Sequence, residues 1–274
     1  MPELPEVTTI VNQLKKEIVG KKISSVFVNK TYKTTPAGES FENAIINSII
    51  IGVDRVAKVI VVTLEKASSR KFLALHLAMT GLVRLYKRDT FSKGLVVFCL
   101  DDGSRFVFTD QRRFGYVQLF EKMETLENKY GPDPFKITAS DFAKIIKSKS
   151  ASWRTNIKNA LLDQRLIAGI GNIYVNEALF MAKIHPQTKT AAIATGQLAI
   201  LLAAIKDVLA RSITHRGSTL SDLTYTDIYG NYGEFQTHFK IYGRKGETCE
   251  DCKTKIEFIM LNGRGTYFCP VCQN

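Results

Sequence analysis

Short apolar runs separated by polar breaks dominate residues 22–120. The stretches KISSVFV, KVIVVTLE, KFLALHLAMTGLVRLY, LVVFCL and RFVFTD are rich in Val, Ile, Leu and Phe, the composition of strands. Asp102-Gly103 stands between two such runs and predicts a tight hairpin. Ahead of them Val7, Ile10, Val11, Leu14 and Ile18 recur at helical spacing and predict one helix near residues 6–18. These elements predict an antiparallel β-sandwich preceded by a helix.

The period changes after YGPDPF (130–135), a Pro- and Gly-bearing stretch that reads as a hinge or linker. From 138 to 216 the spacing is helical: Phe142, Ile145 and Ile146, then NIKNALLDQRLI, NIYVNEALFMAK and GQLAILLAAIKDVLARSI. Thr138 with Asp141 three residues later marks a helix start. A second, helical domain is expected. GSTLSDLTYTDIYGNYGEF (217–235) shows no clear period, and an unstructured stretch of that length is either disordered or functional.

Charge changes the picture. The 274 residues carry 38 Lys plus Arg against 26 Asp plus Glu, a formal net charge of +12. The excess is spread along the chain, which points to a polyanionic partner or to a merely basic soluble protein. No run of 18 apolar residues exists, so no membrane span is expected. The N-terminus lacks the pattern of a signal peptide, and the cytoplasm is the expected compartment.

Four of the five cysteines close the chain as Cys249-x2-Cys252-x16-Cys269-x2-Cys272. The spacing matches a four-thiolate zinc site on a β-hairpin, with two disulfides as the alternative. Cys99, in an apolar run, reads as a small buried hydrophobe. Arg264 stands between Gly263 and Gly265 at the expected hairpin tip, suited either to phosphate contact or to plain solvation.

Other candidates are weaker alone. AGIGNIYVNEALF (168–180) places Gly169 and Gly171 before Asn172 at a helix start, a favoured N-cap whose free N–H groups attract phosphate. Arg154 and Lys158 upstream add charge or form a solvated face. DQRRFG (110–115) sets Arg112 and Arg113 beside Phe114, suited to base stacking and base-edge bonding. Met79 in HLAMTG is either a wedge between bases or ordinary core filling. Lys58 begins a strand and reads alone as a surface lysine. Pro2 and Pro5 alternate with Glu3 and Glu6 at the start, and Pro5 and Glu6 suit a first helical turn.

PELPEV, the Ala57-Lys58 pair, HLAMTG, DQRRFG, AGIGNIYVNEALF, YGRKGETC and GRGTYFCPVC occur together and in order. This set resembles bacterial formamidopyrimidine-DNA glycosylase, from end to end of the chain. The resemblance implies an α+β multidomain fold: an N-terminal antiparallel β-sandwich domain (1–130), a linker (131–137), a helix–two-turn–helix domain with a lesion-capping loop (138–236), and a zinc finger (237–274).

It implies excision of oxidised purines from duplex DNA by a monomer holding one structural zinc ion on Cys249, Cys252, Cys269 and Cys272. Pro2, exposed after removal of Met1, would be the nucleophile and Glu3 its acid/base partner. Lys58 would assist β-elimination and Arg264 δ-elimination. Met79, Arg112 and Phe114 would fill the gap left by the everted nucleotide, with Arg112 facing the orphaned cytosine. Asn172, Lys58 and Arg264 would grip phosphates, and Lys93, Arg154, Lys158 and Tyr242 would join the DNA contacts.

The chain departs from the family in places. Ala78 and Thr80 replace Gly and Ser of the usual HLGMSG. Lys93 stands near the place of a DNA-contacting histidine, and Trp153 that of an upstream lysine. Two other readings remain: an endonuclease VIII-like enzyme for oxidised pyrimidines, whose opening has Gly where Leu4 stands, and a non-catalytic zinc DNA-binding protein.

Overall fold

The apolar stripe near the N-terminus is the buried face of helix α1 (Leu4–Ile18) in the computed structural model, which describes residues 2–87, 93–148 and 155–273. The helix begins two residues before its expected start. Pro5 sits in its first turn, where a missing N–H costs nothing. Val7, Ile10, Val11, Leu14 and Ile18 pack into one core with residues from two sheets.

The strands are β1 (Ile23–Val28), β2 (Ile49–Val56), β3 (Val59–Lys66), β4 (Ser69–His76), β5 (Gly81–Tyr86), β6 (Val96–Leu100), β7 (Arg105–Asp110) and β8 (Tyr116–Phe120). One antiparallel sheet has the order β1-β6-β7-β5, the other β2-β3-β4-β8. The long apolar run 71–86 is therefore two strands. A turn at 77–80 takes the chain from one sheet to the other, with Ala78 in the left-handed region (φ 48°). Asp102 closes the β6–β7 connection by accepting bonds from the N–H (2.9 Å) and hydroxyl (2.6 Å) of Ser104. Sequence reading did not single out β2, β8 or the short helix α2 (Glu39–Ile45). In β2 the register shifts between Ile50 and Gly52, which interrupts the alternation a strand would otherwise display.

Residues 2–129 and 215–234 form one unit. The latter stretch was grouped with the helices in the domain reading, but its bonds run to α1 and β5. Ser218 N–H donates to Glu6 (2.7 Å), Gln13 Nε2 donates to Asp227 (2.9 Å), and Leu85 N–H donates to Ile228 O (3.0 Å).

Residues 130–214 and 235–273 form the second unit. Beyond the four-residue helix α3 (Glu124–Glu127) of the first unit, its helices are α4 (Ala139–Ser148), α5 (Ile157–Leu162), α6 (Asn172–Met181) and α7 (Thr195–Thr214). Thr138 Oγ1 accepts the Asp141 N–H at 3.1 Å, which is the expected helix start. Helix α6 is buried on every side from Ile173 to Phe180. The stretch read as a hinge packs within this unit: Gly131 N–H bonds Gln164 O at 2.8 Å, and Pro132 O accepts Ala168 N–H at 3.0 Å. A Cβ on Gly131 would meet Leu166 O at 2.5 Å, so this approach requires glycine. The antiparallel hairpin β9 (Glu257–Leu261) and β10 (Arg264–Phe268) completes the unit. No described helix is long and apolar enough to cross a membrane.

Leu14 is fully buried. Leu14→Ala is expected to cost about 2–5 kcal/mol of unfolding free energy. Urea denaturation with an unchanged slope checks this, and a midpoint equal to wild type would show that α1 does not carry the core.

Candidate active site and zinc hairpin

Pro2 and Glu3 are both buried at the entrance of α1. Glu3 is the extended N-cap residue (φ −109°), and its N–H donates to Glu6 Oε2 at 2.8 Å. The other oxygen of Glu6 accepts Ser218 N–H at 2.7 Å, so one buried carboxylate holds the N-terminal turn and the returning segment. A Cβ on Gly217 would meet that oxygen at 2.7 Å, and Gly217 has φ 78°. Glycine serves both needs. The arrangement places the Pro2 ring nitrogen and the Glu3 carboxylate next to each other on a rigid helix end.

Lys58 lies in the hairpin between β2 and β3, after Ala57 in the left-handed region (φ 53°). It is half-buried, not a plain surface lysine. The next residue, Val59, pairs with His76, and His76 stacks on Tyr116 with centroids 5.2 Å apart. Burial, then the Lys58 charge, push the His76 pKa below its ordinary value, while Asp110 opposes them. The imidazole therefore stays neutral beside the Lys58 ammonium.

Met79 and Phe114 are 41% and 60% exposed, which overturns core filling for Met79. Both meet Arg112. Its Nη1 lies 3.3 Å from Met79 Sδ, and its guanidinium lies 4.8 Å over the Phe114 ring. An apolar wedge, a flat ring and a planar cation thus form one projecting cluster. Arg113 is turned away, its Nη1 donating to Thr31 O at 3.1 Å. Lys93, just ahead of β6, is exposed. Arg154 and the neighbouring Trp153 lie outside the described residues.

In the second unit the glycine turn is pinned by Gln164. Its Oε1 accepts Gly169 N–H and its Nε2 donates to Ile170 O, both at 2.8 Å. The N-cap of α6 is Gly171, correcting the expectation for Asn172, which is the first helical residue. Asn172 Nδ2 instead donates to Gly265 O at 3.1 Å, while its buried Oδ1 has no hydrogen-bond partner among the described residues.

Lys158 also needs correction. It is fully buried, and its Nζ donates to Gly265 O (2.8 Å) and Thr266 Oγ1 (2.7 Å). The side chain fastens the hairpin rather than presenting its charge on a surface. Arg264 opens β10 and is exposed, one residue after the turn at Asn262 (φ 49°) and Gly263 (φ 72°).

Two residues in α6 escaped sequence reading. Glu177, 1% exposed, accepts the backbone N–H groups of Lys240, Ile241 and Tyr242 at 2.8–3.0 Å. Burial raises its pKa against those bonds. Asn176 bonds Asn172 O through Nδ2 and Tyr267 N–H through Oδ1. The signal was there: an Asn-Glu pair inside an otherwise apolar helix must find buried partners. Tyr242, so anchored, packs edge-on against Tyr267 with centroids 5.2 Å apart.

The four cysteine sulfurs lie within 4.8 Å of one another. Cys249–Cys272 and Cys252–Cys269 are 4.0 and 3.3 Å apart, and all four are free thiols, which rules out the disulfide alternative. Tetrahedral zinc with bonds of about 2.3 Å needs sulfurs about 3.8 Å apart, so the set fits one ion. Four thiolates leave such an ion no open position, and its role is structural. Cys269 N–H donates to Gln273 Oε1 and Gln273 Nε2 donates to Ile184 O, both at 2.9 Å, tying the knuckle to the chain after α6.

Two outcomes are expected. First, the purified protein holds about one zinc per chain. Cys249→Ser loses it and exposes residues 246–273 to proteolysis, since binding energy here is folding energy. Protease resistance without zinc would contradict the assignment. Second, a histidine with a lowered native pKa is neutral in the fold, so the unfolded chain binds more protons just below its ordinary value near 6.5. The contribution of His76 is present above that value and lost as pH falls through its native pKa. His76→Gln should therefore flatten the drop in unfolding free energy between pH 7 and 5. An unchanged slope in urea titrations would contradict it.

Comparison with known proteins agrees with this geometry. Residues 1–117 match the formamidopyrimidine-DNA glycosylase N-terminal domain, 130–224 the H2TH domain of the same enzymes, and 246–274 the zinc finger found in FPG and IleRS. Formamidopyrimidine-DNA glycosylases of Chloroflexus aurantiacus and Herpetosiphon aurantiacus are 39% and 40% identical to the chain. The alignments cover all of it and 98% and 100% of those proteins. A Lactococcus lactis FPG mutant in complex with Fapy-dG-containing DNA superposes with TM-score 0.86 at 32% identity over the full length of both chains. The Lactococcus lactis Fpg bound to abasic-site DNA gives the same score and identity over 99% of each. Matched along its whole length in sequence and structure, the chain belongs to the formamidopyrimidine-DNA glycosylase family.

Proposed function

We propose that this protein is a bifunctional DNA glycosylase and abasic-site lyase that excises 8-oxoguanine and formamidopyrimidines from duplex DNA. The observation that carries the reading is the pairing, in one unit, of a buried Pro2–Glu3 turn with the projecting Met79–Arg112–Phe114 cluster. One suits bond-breaking at a sugar and the other suits a gap in a base stack. It acts as a monomer, in the cytoplasm.

An enzyme of this kind must extrude the damaged nucleotide, at a cost of a few kcal/mol that wedge insertion and phosphate contacts offset. Met79 and Phe114 take the vacated space, and Arg112 faces the orphaned base. Arg264 and Asn172, with Lys58, hold flanking phosphates, and Tyr242 and Lys93 add contacts. The 217–235 stretch covers the everted base.

With Met1 removed, the Pro2 amine is the nucleophile. A chain-terminal amine titrates at about 7.7–8.0 and is partly unprotonated at neutral pH, whereas lysine near 10.4 is not. Its nitrogen attacks C1′, the bond to the base breaks, and the base leaves with a proton. The nitrogen then gives up its one N–H proton, the C1′–O4′ bond opens with a proton going to O4′, and a cationic iminium remains, because a secondary amine has no second N–H to lose. That cation withdraws electrons and makes the 2′-hydrogen acidic. Loss of that hydrogen and of the 3′-phosphate is β-elimination, assisted by Lys58. Loss of the 5′-phosphate is δ-elimination, assisted by Arg264. Glu3 moves protons at the sugar.

Incubation with duplex containing 8-oxoguanine opposite cytosine should yield a one-nucleotide gap with phosphate at both ends. Excision of 8-oxoguanine should exceed that of thymine glycol. The reverse order would favour the endonuclease VIII-like reading, and no cleavage of either would leave only DNA binding.

A further inference from the structure

Asp110 ends β7 and is 4% exposed, yet the reaction proposed above assigns it no role. Its Oδ1 accepts the Thr80 hydroxyl at 2.5 Å and the Arg112 N–H at 3.2 Å, and its Oδ2 accepts the Gly115 N–H at 2.7 Å. Thr80 Oγ1 in turn accepts the same Arg112 N–H at 3.0 Å. One carboxylate therefore joins the turn bearing Met79 to the turn bearing Arg112 and Phe114.

Neither turn is a relaxed conformation. Ala78 and Arg113 hold positive φ (48° and 56°) without being glycine, a state that persists only where neighbours enforce it. The turns are also crowded from below. A Cβ on Gly81 would lie 2.4 Å from Leu77 O, and one on Gly115 2.4 Å from His76 O and 3.0 Å from Asp110 Oδ2. Ladder pairing of Gly81 with Asp110 and of His76 with Tyr116 brings the two turns side by side, and at their tips Arg112 Nη1 meets Met79 Sδ at 3.3 Å. Three donors converging on one buried carboxylate give it a defined place.

We infer that Asp110 is a positioning residue that sets the Met79–Arg112–Phe114 cluster, and so fixes how strictly the base opposite the lesion is read. It touches no DNA itself. It acts by holding the Arg112 backbone, from which the guanidinium reaches the adjacent N3 and O2 acceptors of an orphaned cytosine, where the Watson–Crick edge of adenine offers N1 alone. The inference rests on the proposed glycosylase reading.

The test uses full-length, zinc-loaded protein and two substrates. Asp110→Asn keeps the shape but sets an amide N–H against one of the three donors. Excision of 8-oxoguanine opposite cytosine should fall about tenfold in kcat/KM, with the preference for cytosine over adenine shrinking alongside it. Borohydride trapping on a single-stranded abasic oligonucleotide, which has no opposite base to read, should stay within about twofold of wild type. Thr80→Val, which deletes the hydroxyl bridge alone, should shrink the preference in the same direction, and Thr80→Ser should retain it. If Asp110→Asn does not fold, the Thr80 pair decides. An unchanged cytosine preference overturns the inference, as does an equal fall in single-strand trapping, which would mark a merely structural role. Failure of wild type to trap on an 8-oxoguanine duplex would instead overturn the glycosylase reading.

Discussion

The first unit depends on the two oxygens of Glu6. One holds the N–H of Glu3 and the other the N–H of Ser218, more than two hundred residues later. The side chain is 1% exposed, so losing either partner would leave a buried charge under-satisfied. The consequence is geometric. The entrance of α1, with Pro2 and Glu3, cannot move independently of the segment that returns after α7. Tyr225 adds to this lock by bonding Arg216 O at 3.1 Å. A chain that leaves the sandwich, builds a helical unit and comes back must be caught firmly, and here it is caught beside the residues proposed to do chemistry.

The second unit repeats the device with other side chains. Lys158 holds the β9–β10 hairpin through Gly265 and Thr266, and Glu177 gathers three consecutive backbone N–H groups at 240–242. Each is an ionisable group, nine-tenths or more buried, with most of its bonds directed at backbone. Such groups contribute little net stability once desolvation is counted, and they are costly to leave unpaired. What they supply is a defined position for Arg264 and Tyr242. Zinc completes the arrangement where the apolar material is too scant to form a core of its own.

Much of the fold was legible in the residues themselves. The stripe of α1, the strand runs and the cysteine spacing each announce their structure, because periodicity and ligand spacing are local properties. Legibility failed where a side chain's partner is distant. Lys158 looked like surface charge because a buried ammonium can be recognised only from what it bonds. Asn172 looked like a helix cap until Gly171 took that place. β2 was hidden by a register shift. Asp110 and Gln164 stood among polar neighbours and drew no notice, whereas Glu177, in an otherwise apolar run, carried the mark of a buried hub. The chemistry of Pro2 was not readable from physics alone, since a proline at a helix entrance is ordinary. The resemblance of the ordered motifs supplied that reading, and the burial of Pro2 beside Glu3 is consistent with it.

The central claim is that the Pro2 amine does the bond-breaking. The direct measurement is reduction with borohydride during turnover on 8-oxoguanine duplex, followed by peptide mass analysis of the protein–DNA product. The account predicts a single adduct on an N-terminal peptide that begins at Pro2 and lacks Met1. An adduct on Lys58 or another lysine, or none from a chain shown to begin at Pro2, would contradict it.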